Sequence, residues 1–331
     1  MAGRMGALLR KIALGLGLLT ASSALGSSEA AEPVAYDTAM VDLLGSLHDY
    51  VQVRKSGFGL LANGGAPLYL PYDGNTPQNA SKMLQSLDGQ LVESVFYGSD
   101  LKDGEETSKE TSDYYKLALQ VPLQAGLPVF NIDYVQTEAQ KAASRQKNDR
   151  CGYISWASTR RNLDAIPQEQ PAGINDRDIR RLGDVRNFLV LLNPGNYARE
   201  EYFAWLEQSP YDLLIIDLYC EDRPLTAAEV LRLQRKPQGG RRLVYAYMSV
   251  GEAEPYRAYW RPEWQAEPPA WLAGVNEDWG SHRVRYWQKE WQAILYGSPT
   301  AYLDTIMQAG FDGAFLDVID VYQYFREGSA K

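Results

Sequence analysis

Eight short runs of Val, Ile, Leu, Tyr and Phe recur along the chain, separated by longer stretches whose apolar residues follow a helical period. The runs are FGLLAN from Phe58, LVESVFYG from Leu91, PVFNIDYV from Pro128, GYISWAS from Gly152, NFLVLLN from Asn187, DLLIIDLY from Asp212, RLVYAYMSV from Arg242 and GAFLDVID from Gly313. Between them TAMVDLLGSLHDYVQ, ETSDYYKLALQVPLQ, REEYFAWLEQ, TAAEVLRLQR and TAYLDTIMQAG read as amphipathic helices, with Gly or Pro at many exits. Strands that are almost continuously apolar belong to parallel sheets covered on both faces. Eight such units in about 300 residues predict an α/β fold, a (β/α)8 or TIM barrel, in preference to a doubly wound sheet. Its active site would lie where the strands end on their carboxyl side.

Polar residues near those ends are therefore the informative ones: Asn63, Glu93, Asp133, Ser155, Asn193, Asp217, Glu252 with Glu254, and Asp317 with Asp320. Any one of them is accounted for as a helix cap or a hydrogen bond in the barrel mouth. A ring of acids drawn from many strands must be desolvated against mutual repulsion, which points to a function. With 33 Lys+Arg against 42 Asp+Glu, the net charge of −9 disfavours a nucleic-acid partner and accommodates a cationic or neutral one. Two histidines, His48 and His282, and two cysteines, Cys151 and Cys220, are too few for a His/Cys zinc cluster, and neither histidine lies in a Ser-His-Asp pattern. Neither a metal nor a cofactor is expected, which leaves carboxylates to carry any chemistry.

Residues 1–30 carry Arg4, Arg10 and Lys11, then IALGLGLL, then small residues ending SSEA before AEP. That is the layout of a secretory signal peptide, with cleavage expected near Ala30 and a secreted or periplasmic product. The apolar run is shorter than the roughly 20 residues of a spanning helix, so no stable membrane anchor is expected after cleavage. Export would permit a Cys151–Cys220 disulfide without establishing one.

Three longer segments carry a specific likeness. VYAYMSVGEAEPYRAYW, VRYWQKEW and YLDTIMQAGFDGAFLDVIDVYQYF resemble glycoside hydrolase family 114, the endo-α-1,4-polygalactosaminidase-like barrels. The family order opens with the strand resembling DLLIIDLY and passes through SVGEAEPYR and GFDGAFLD into a second half. Here the chain ends soon after Asp320, and FGLLANGG, LVESVFYGSD, AGLPVFNIDYV and CGYISWAS, resembling the later strands, stand in front. The resemblance thus implies a circularly permuted member: residues 31–165 correspond to family strands five to eight, 166–184 to a solvated linker, and 185–331 to strands one to four. A closed barrel has no edge, so the strand from Gly313 can still lie beside that from Phe58, with a helix over Thr38–Val53 following it in space.

The resemblance also implies roles. Glycoside cleavage needs two carboxyl groups flanking one bond, and the matching positions are Asp317 as nucleophile and Glu93 as general acid/base, with Asp320 a rival for the first. Asn63, Asp133, Tyr134, Asp217, Tyr247, Glu252, Glu254, Arg257, Trp260, Trp279 and Asp320 are the expected substrate-binding residues. Glu252 either raises a neighbour's pKa or binds a sugar amine, and Glu254 either faces substrate or pairs with Arg257. Six tryptophans crowd residues 260–291; Trp287 and Trp291, at helical spacing, are expected to be structural. The expected partner is a polysaccharide, cationic or partly deacetylated, α-1,4-linked and rich in galactosamine. The alternative function is a non-catalytic polysaccharide-binding barrel.

Overall fold

The computed structural model describes residues 34–329 except Asp73. The segment read as an export signal, residues 1–30, lies outside the described residues. Eight parallel strands form the central sheet: β1 (Gly59–Asn63), β2 (Gly89–Glu93), β3 (Val129–Tyr134), β4 (Ile154–Ser158), β5 (Phe188–Leu191), β6 (Leu213–Ile216), β7 (Leu243–Ser249) and β8 (Gly313–Asp317). All eight apolar runs are strands. The helices are α1 (Tyr36–Arg54), α2 (Pro77–Ser86), α3 (Lys109–Gln124), α4 (Glu138–Cys151), α5 (Arg199–Gln208), α6 (Ala227–Leu233), α7 (Lys289–Leu295), α8 (Tyr302–Gln308) and α9 (Tyr322–Ser329). Among the described residues no helix is long and apolar enough to cross a membrane.

The ladder runs β4-β3-β2-β1-β8-β7-β6-β5, so the first and last strands in sequence meet in its middle. Gly59 pairs with Gly313 and the register holds to Ala62 with Leu316, in parallel. Any eight-unit barrel pairs its first and last strands, so this contact fits either family order. Helix α1 is fastened to the chain leading into β8: Lys55 Nζ donates to the Phe311 carbonyl at 2.6 Å, and the Tyr50 hydroxyl to Asp304 at 2.6 Å.

The barrel is nearly closed. The remaining gap lies between β4 and β5, which share no ladder among the described residues, and β4 is the one barrel strand that is mostly half-buried. The chain between them forms no α-helix. Most of residues 166–184 are exposed, but Ile179 and Leu182, with Val185 just beyond, turn inward and plug the base of the barrel, buried with Phe188, Leu213 and Leu243. Apolar side chains facing the open bottom of a barrel gain more by filling it than by remaining wet.

Strand parity divides the core into two layers. Leu61, Leu91, Ile132, Ile215, Tyr245 and Phe315 fill the barrel interior. Their neighbours Leu60, Ile216, Val244, Ala246 and Leu316 pack outward under the helices. Continuing the inward parity to the carboxyl ends gives Asn63, Glu93, Tyr134, Asp217, Tyr247 and Asp317.

Candidate active site

Those six inward residues line one cavity of about 260 Å³ at the barrel mouth, together with Asn193, Glu252, Glu254, Arg257 and Trp279. A larger groove of about 1000 Å³ follows the β4–β5 seam and includes Ser155. Its carboxylates are already engaged, as Glu138 and Glu169 are by Lys141, whereas the mouth gathers five acids around two arginines, Arg161 and Arg257. The mouth is therefore the candidate site.

Glu93 and Asp317 face each other there. Asn63 Nδ2 donates to Glu93 Oε1 and to Asp317 Oδ1, each at 2.8 Å. The two oxygens are consequently separated by no more than twice that distance. Glu93 Oε2 accepts from the buried Tyr134 hydroxyl at 2.7 Å, and Asp317 Oδ1 from the Val318 N–H at 2.9 Å. Burial, then the charge of Glu93, pushes Asp317 up to about 7, against the lowering effect of its two donors. Asp317 therefore holds a proton over part of the range near neutrality.

The three residues of this cluster end their strands in the same way. Gly64, Ser94 and Val318, directly after Asn63, Glu93 and Asp317, have φ of 81°, 61° and 63°. A left-handed β-branched residue costs about 1–3 kcal/mol and persists only where its surroundings impose it. The surroundings here include Gly251: a Cβ there would lie 2.2 Å from the Val318 carbonyl oxygen. The glycine of SVGE thus admits the turn that presents Asp317.

On the opposite wall Arg257, itself buried, binds two acids. Its Nη1 lies 2.7 Å from Asp217 Oδ2 and its Nε 2.6 Å from Glu254 Oε2. Burial still pushes Asp217 upward despite that guanidinium. The Glu254–Arg257 pairing weighed from sequence is present, and the Tyr256 hydroxyl adds a donor to Glu254 at 2.6 Å. Tyr247 also reaches Glu254, at 3.4 Å. Glu252 accepts from Asn276 Nδ2 at 2.9 Å and from Ser281 Oγ at 2.6 Å. Both partners come from the three-stranded antiparallel excursion formed by Glu252–Ala253, Leu272–Asn276 and Ser281–Val284.

Three expected site residues are not brought to the cavity. Asp133 has the wrong parity on β3 and points outward, where it accepts from the Phe96 and Tyr97 N–H groups, the Ser144 hydroxyl and Asn148 Nδ2 at 2.6–3.2 Å. Asp320 sits on the 3-10 turn Ile319–Val321, with Oδ1 3.4 Å from where a Cβ of Gly64 would lie. Trp260 packs on Trp264 and His282 at 5.4 and 5.0 Å, in an aromatic column that continues through Trp271 to Trp291. Trp291 is fully buried and donates to the Val250 carbonyl at 2.9 Å, a structural residue as expected. Trp279 alone of the six clustered tryptophans lines the cavity. Cys151 and Cys220 are free thiols.

Sequence reasoning missed Arg161. Its guanidinium lies 3.9 Å from the centre of the Tyr134 ring and is held by Asp103 and the Gly98 carbonyl. It follows β4 on the connection to β5, where no strand ending marks it; the one signal available was a pair of arginines, Arg160 and Arg161, directly after a strand.

Comparison with known proteins points the same way. Residues 201–330 match the family model described as glycoside-hydrolase family GH114, which supports glycoside-hydrolase chemistry. An uncharacterized protein of Deinococcus radiodurans is 44% identical over 117 residues, 35% of this chain and 35% of its own. Uncharacterized proteins of Methanocaldococcus jannaschii and Thermotoga maritima are 33% identical over 159 residues (44% of each chain) and 39% over 83 residues (25% of this chain, 24% of theirs). The chain thus spans less than half the length of each of these relatives. The matched segment supplies Asp317 and the SVGE loop, while Asn63 and Glu93 reach the same mouth from the unmatched end of the sequence, within one nearly closed ring of eight parallel strands. By its architecture the chain is a (β/α)8 barrel, and its residues 201–330 are similar to glycoside-hydrolase family GH114.

Proposed function

We propose that the protein is an exported glycoside hydrolase that cleaves an α-1,4-linked, galactosamine-rich polysaccharide, with Asp317 as nucleophile and Glu93 as general acid/base. The observation carrying this reading is the single Asn63 amide that holds both carboxylates. Retaining glycosidases place their two carboxyl groups about 5–5.5 Å apart and inverting ones about 6.5–9.5 Å; the bound set by Asn63 supports retention. Asp317 Oδ attacks the anomeric carbon as the bond to the leaving oxygen breaks, and Glu93 gives that oxygen its proton. Water then cleaves the sugar–Asp317 ester and returns a proton to Glu93.

The raised Asp317 fits a cationic sugar. In the free site Asp317 holds a proton near neutrality, and it must lose that proton to attack. An ammonium group entering the cavity favours the Asp317 anion. The acidic mouth supports the same substrate class, and Trp279 offers a flat ring at its rim. The permuted strand order belongs to this proposal; it is supported by the β4–β5 gap, which falls where the family's two chain ends would be joined.

The test is release of reducing ends by the protein, lacking residues 1–30, from α-1,4-galactosamine polymers of graded acetylation. Cleavage abolished by Glu93→Gln with polymer binding retained supports the reading. Binding without cleavage by the unaltered protein would instead favour a carbohydrate-binding barrel.

A further inference from the structure

Glu93, the proposed general acid/base, is backed by a row of residues that lies outside the segment matched to the family. Its Oε2 accepts from the Tyr134 hydroxyl at 2.7 Å, and Tyr134 is buried. The face of that ring carries a cation: Arg161 Cζ lies 3.9 Å from the ring centre. Arg161 is fixed there by its own acceptors, with Nε donating to Asp103 Oδ1 at 2.8 Å and Nη2 to the Gly98 carbonyl at 2.6 Å. Gly98, at φ 94°, lets ring and guanidinium close up, since a Cβ there would lie 2.8 Å from Tyr134 Cβ and 3.0 Å from Arg161 Nη2. The same loop clamps the Tyr134 backbone, whose N–H donates to the Tyr97 carbonyl at 3.2 Å and whose carbonyl accepts from the Gly104 N–H at 2.9 Å.

This arrangement bears on charge that appears only during the reaction. Glu93 is neutral before it protonates the leaving oxygen and anionic afterwards, so Oε2 becomes a stronger acceptor as the glycosidic bond breaks. A cation on the face of a phenol ring draws electron density from it and makes the hydroxyl a better donor. Burial, and then the charge of Glu93, pushes the Tyr134 phenol well above its ordinary range, while Arg161 acts in the opposite direction. The phenol therefore keeps its proton and remains a donor. Asp103 is the more exposed member of its pair with Arg161, so its countercharge is screened more than the guanidinium that faces the buried ring.

We infer that Arg161 is a positioning residue for the general acid: acting through the Tyr134 ring, it stabilises the Glu93 carboxylate that forms as the leaving oxygen takes the proton. The contribution is realised in the transition state and not in substrate binding. It matters for a leaving group that needs a proton and is bypassed by one that departs unaided. This inference rests on the hydrolase reading above and adds to it the device that supports its acid.

The experiment measures kcat/KM for the unaltered protein, Arg161→Gln and Arg161→Lys on two substrates: unactivated galactosamine oligomers, and an aryl glycoside of the same oligomer whose leaving group needs no protonation. The ratio between the two substrates cancels any loss of folded protein. Arg161→Gln should lower kcat/KM about 10- to 30-fold on the oligomers and by less than about threefold on the aryl glycoside. Arg161→Lys, which keeps a cation for the ring, should restore most of the difference. The Cζ NMR resonance of Tyr134 in protein carrying isotope-labelled tyrosine, identified by its loss in Tyr134→Phe, gives a readout independent of turnover. It should move in Arg161→Gln and return in Arg161→Lys. An equal fall on both substrates, no fall on either, or an unmoved resonance overturns the role of Arg161 and leaves the hydrolase reading standing. Cleavage of neither substrate by the unaltered protein sinks the hydrolase reading and this inference with it.

Discussion

Glu93 and Asp317 accept hydrogen bonds from the same nitrogen, Asn63 Nδ2, each at 2.8 Å. They are separated by more than two hundred residues of sequence and brought together by the parallel pairing of β1 with both β2 and β8. One amide on the middle strand donates to both acids and partly offsets their repulsion.

Asn63→Ala removes that donor without removing either acid. A hydrogen bond to a charged group contributes about 1.5–3 kcal/mol, so kcat/KM should fall by about 10- to 100-fold. Asn63 holds the Asp317 pKa down. The acid limb of the kcat/KM profile should therefore move to higher pH in the variant, and a limb that stays in place would contradict the shared-donor account.

Asp317 also predicts a pH-dependent stability. Its folded pKa of about 7 stands above the ordinary carboxylate value of about 3.9. The proton is held more tightly in the folded protein, so this contribution to stability is fully present below the ordinary value and is lost as pH rises through about 7. Asp317→Asn, permanently neutral, should melt at a higher temperature than the unaltered protein at pH 8, by on the order of 1–4 kcal/mol in stability. Near pH 4 the two should converge. Thermal melts at the two pH values check this.

The strands were legible because a parallel barrel strand is apolar on both faces and leaves an unbroken run. Their parity was legible too. In VFNIDY, Ile132 and Tyr134 share one face with Phe130, so Asp133 had to face the helices; reading strand ends without alternation misplaces it. Arg161 and Trp260 lie outside strands, where no period fixes direction. The column from Trp260 to Trp291 depends on how a long loop folds back, which local spacing does not encode.

Asp133 gives a sharp contrast with the mouth acids. Removing a carboxylate that satisfies four buried donors should cost more than about 3 kcal/mol. Asp133→Ala is expected to lower the melting temperature, while the protein that remains folded keeps its KM. A raised KM with unchanged melting would mean that Asp133 reaches the substrate.

The tryptophans divide the same way. Trp291→Ala should cost about 3–5 kcal/mol of stability, since it empties a fully buried site and orphans the Val250 carbonyl. Trp279, 44% exposed, should be nearly neutral for stability when replaced by Ala. Its loss should instead raise KM for the polymer. Melting curves and steady-state kinetics on the two variants separate these outcomes.

The pairing of Glu93 with Asp317 across one glycosidic bond is tested most directly by trapping. Glu93→Gln, mixed with an aryl glycoside of a galactosamine oligomer whose leaving group needs no protonation, should accumulate a glycosyl-enzyme. Intact-mass spectrometry and peptide mapping should place one sugar adduct on Asp317, and azide should release it as the α-glycosyl azide. An adduct on another residue, or full turnover by Glu93→Gln on unactivated polymer, would contradict the account.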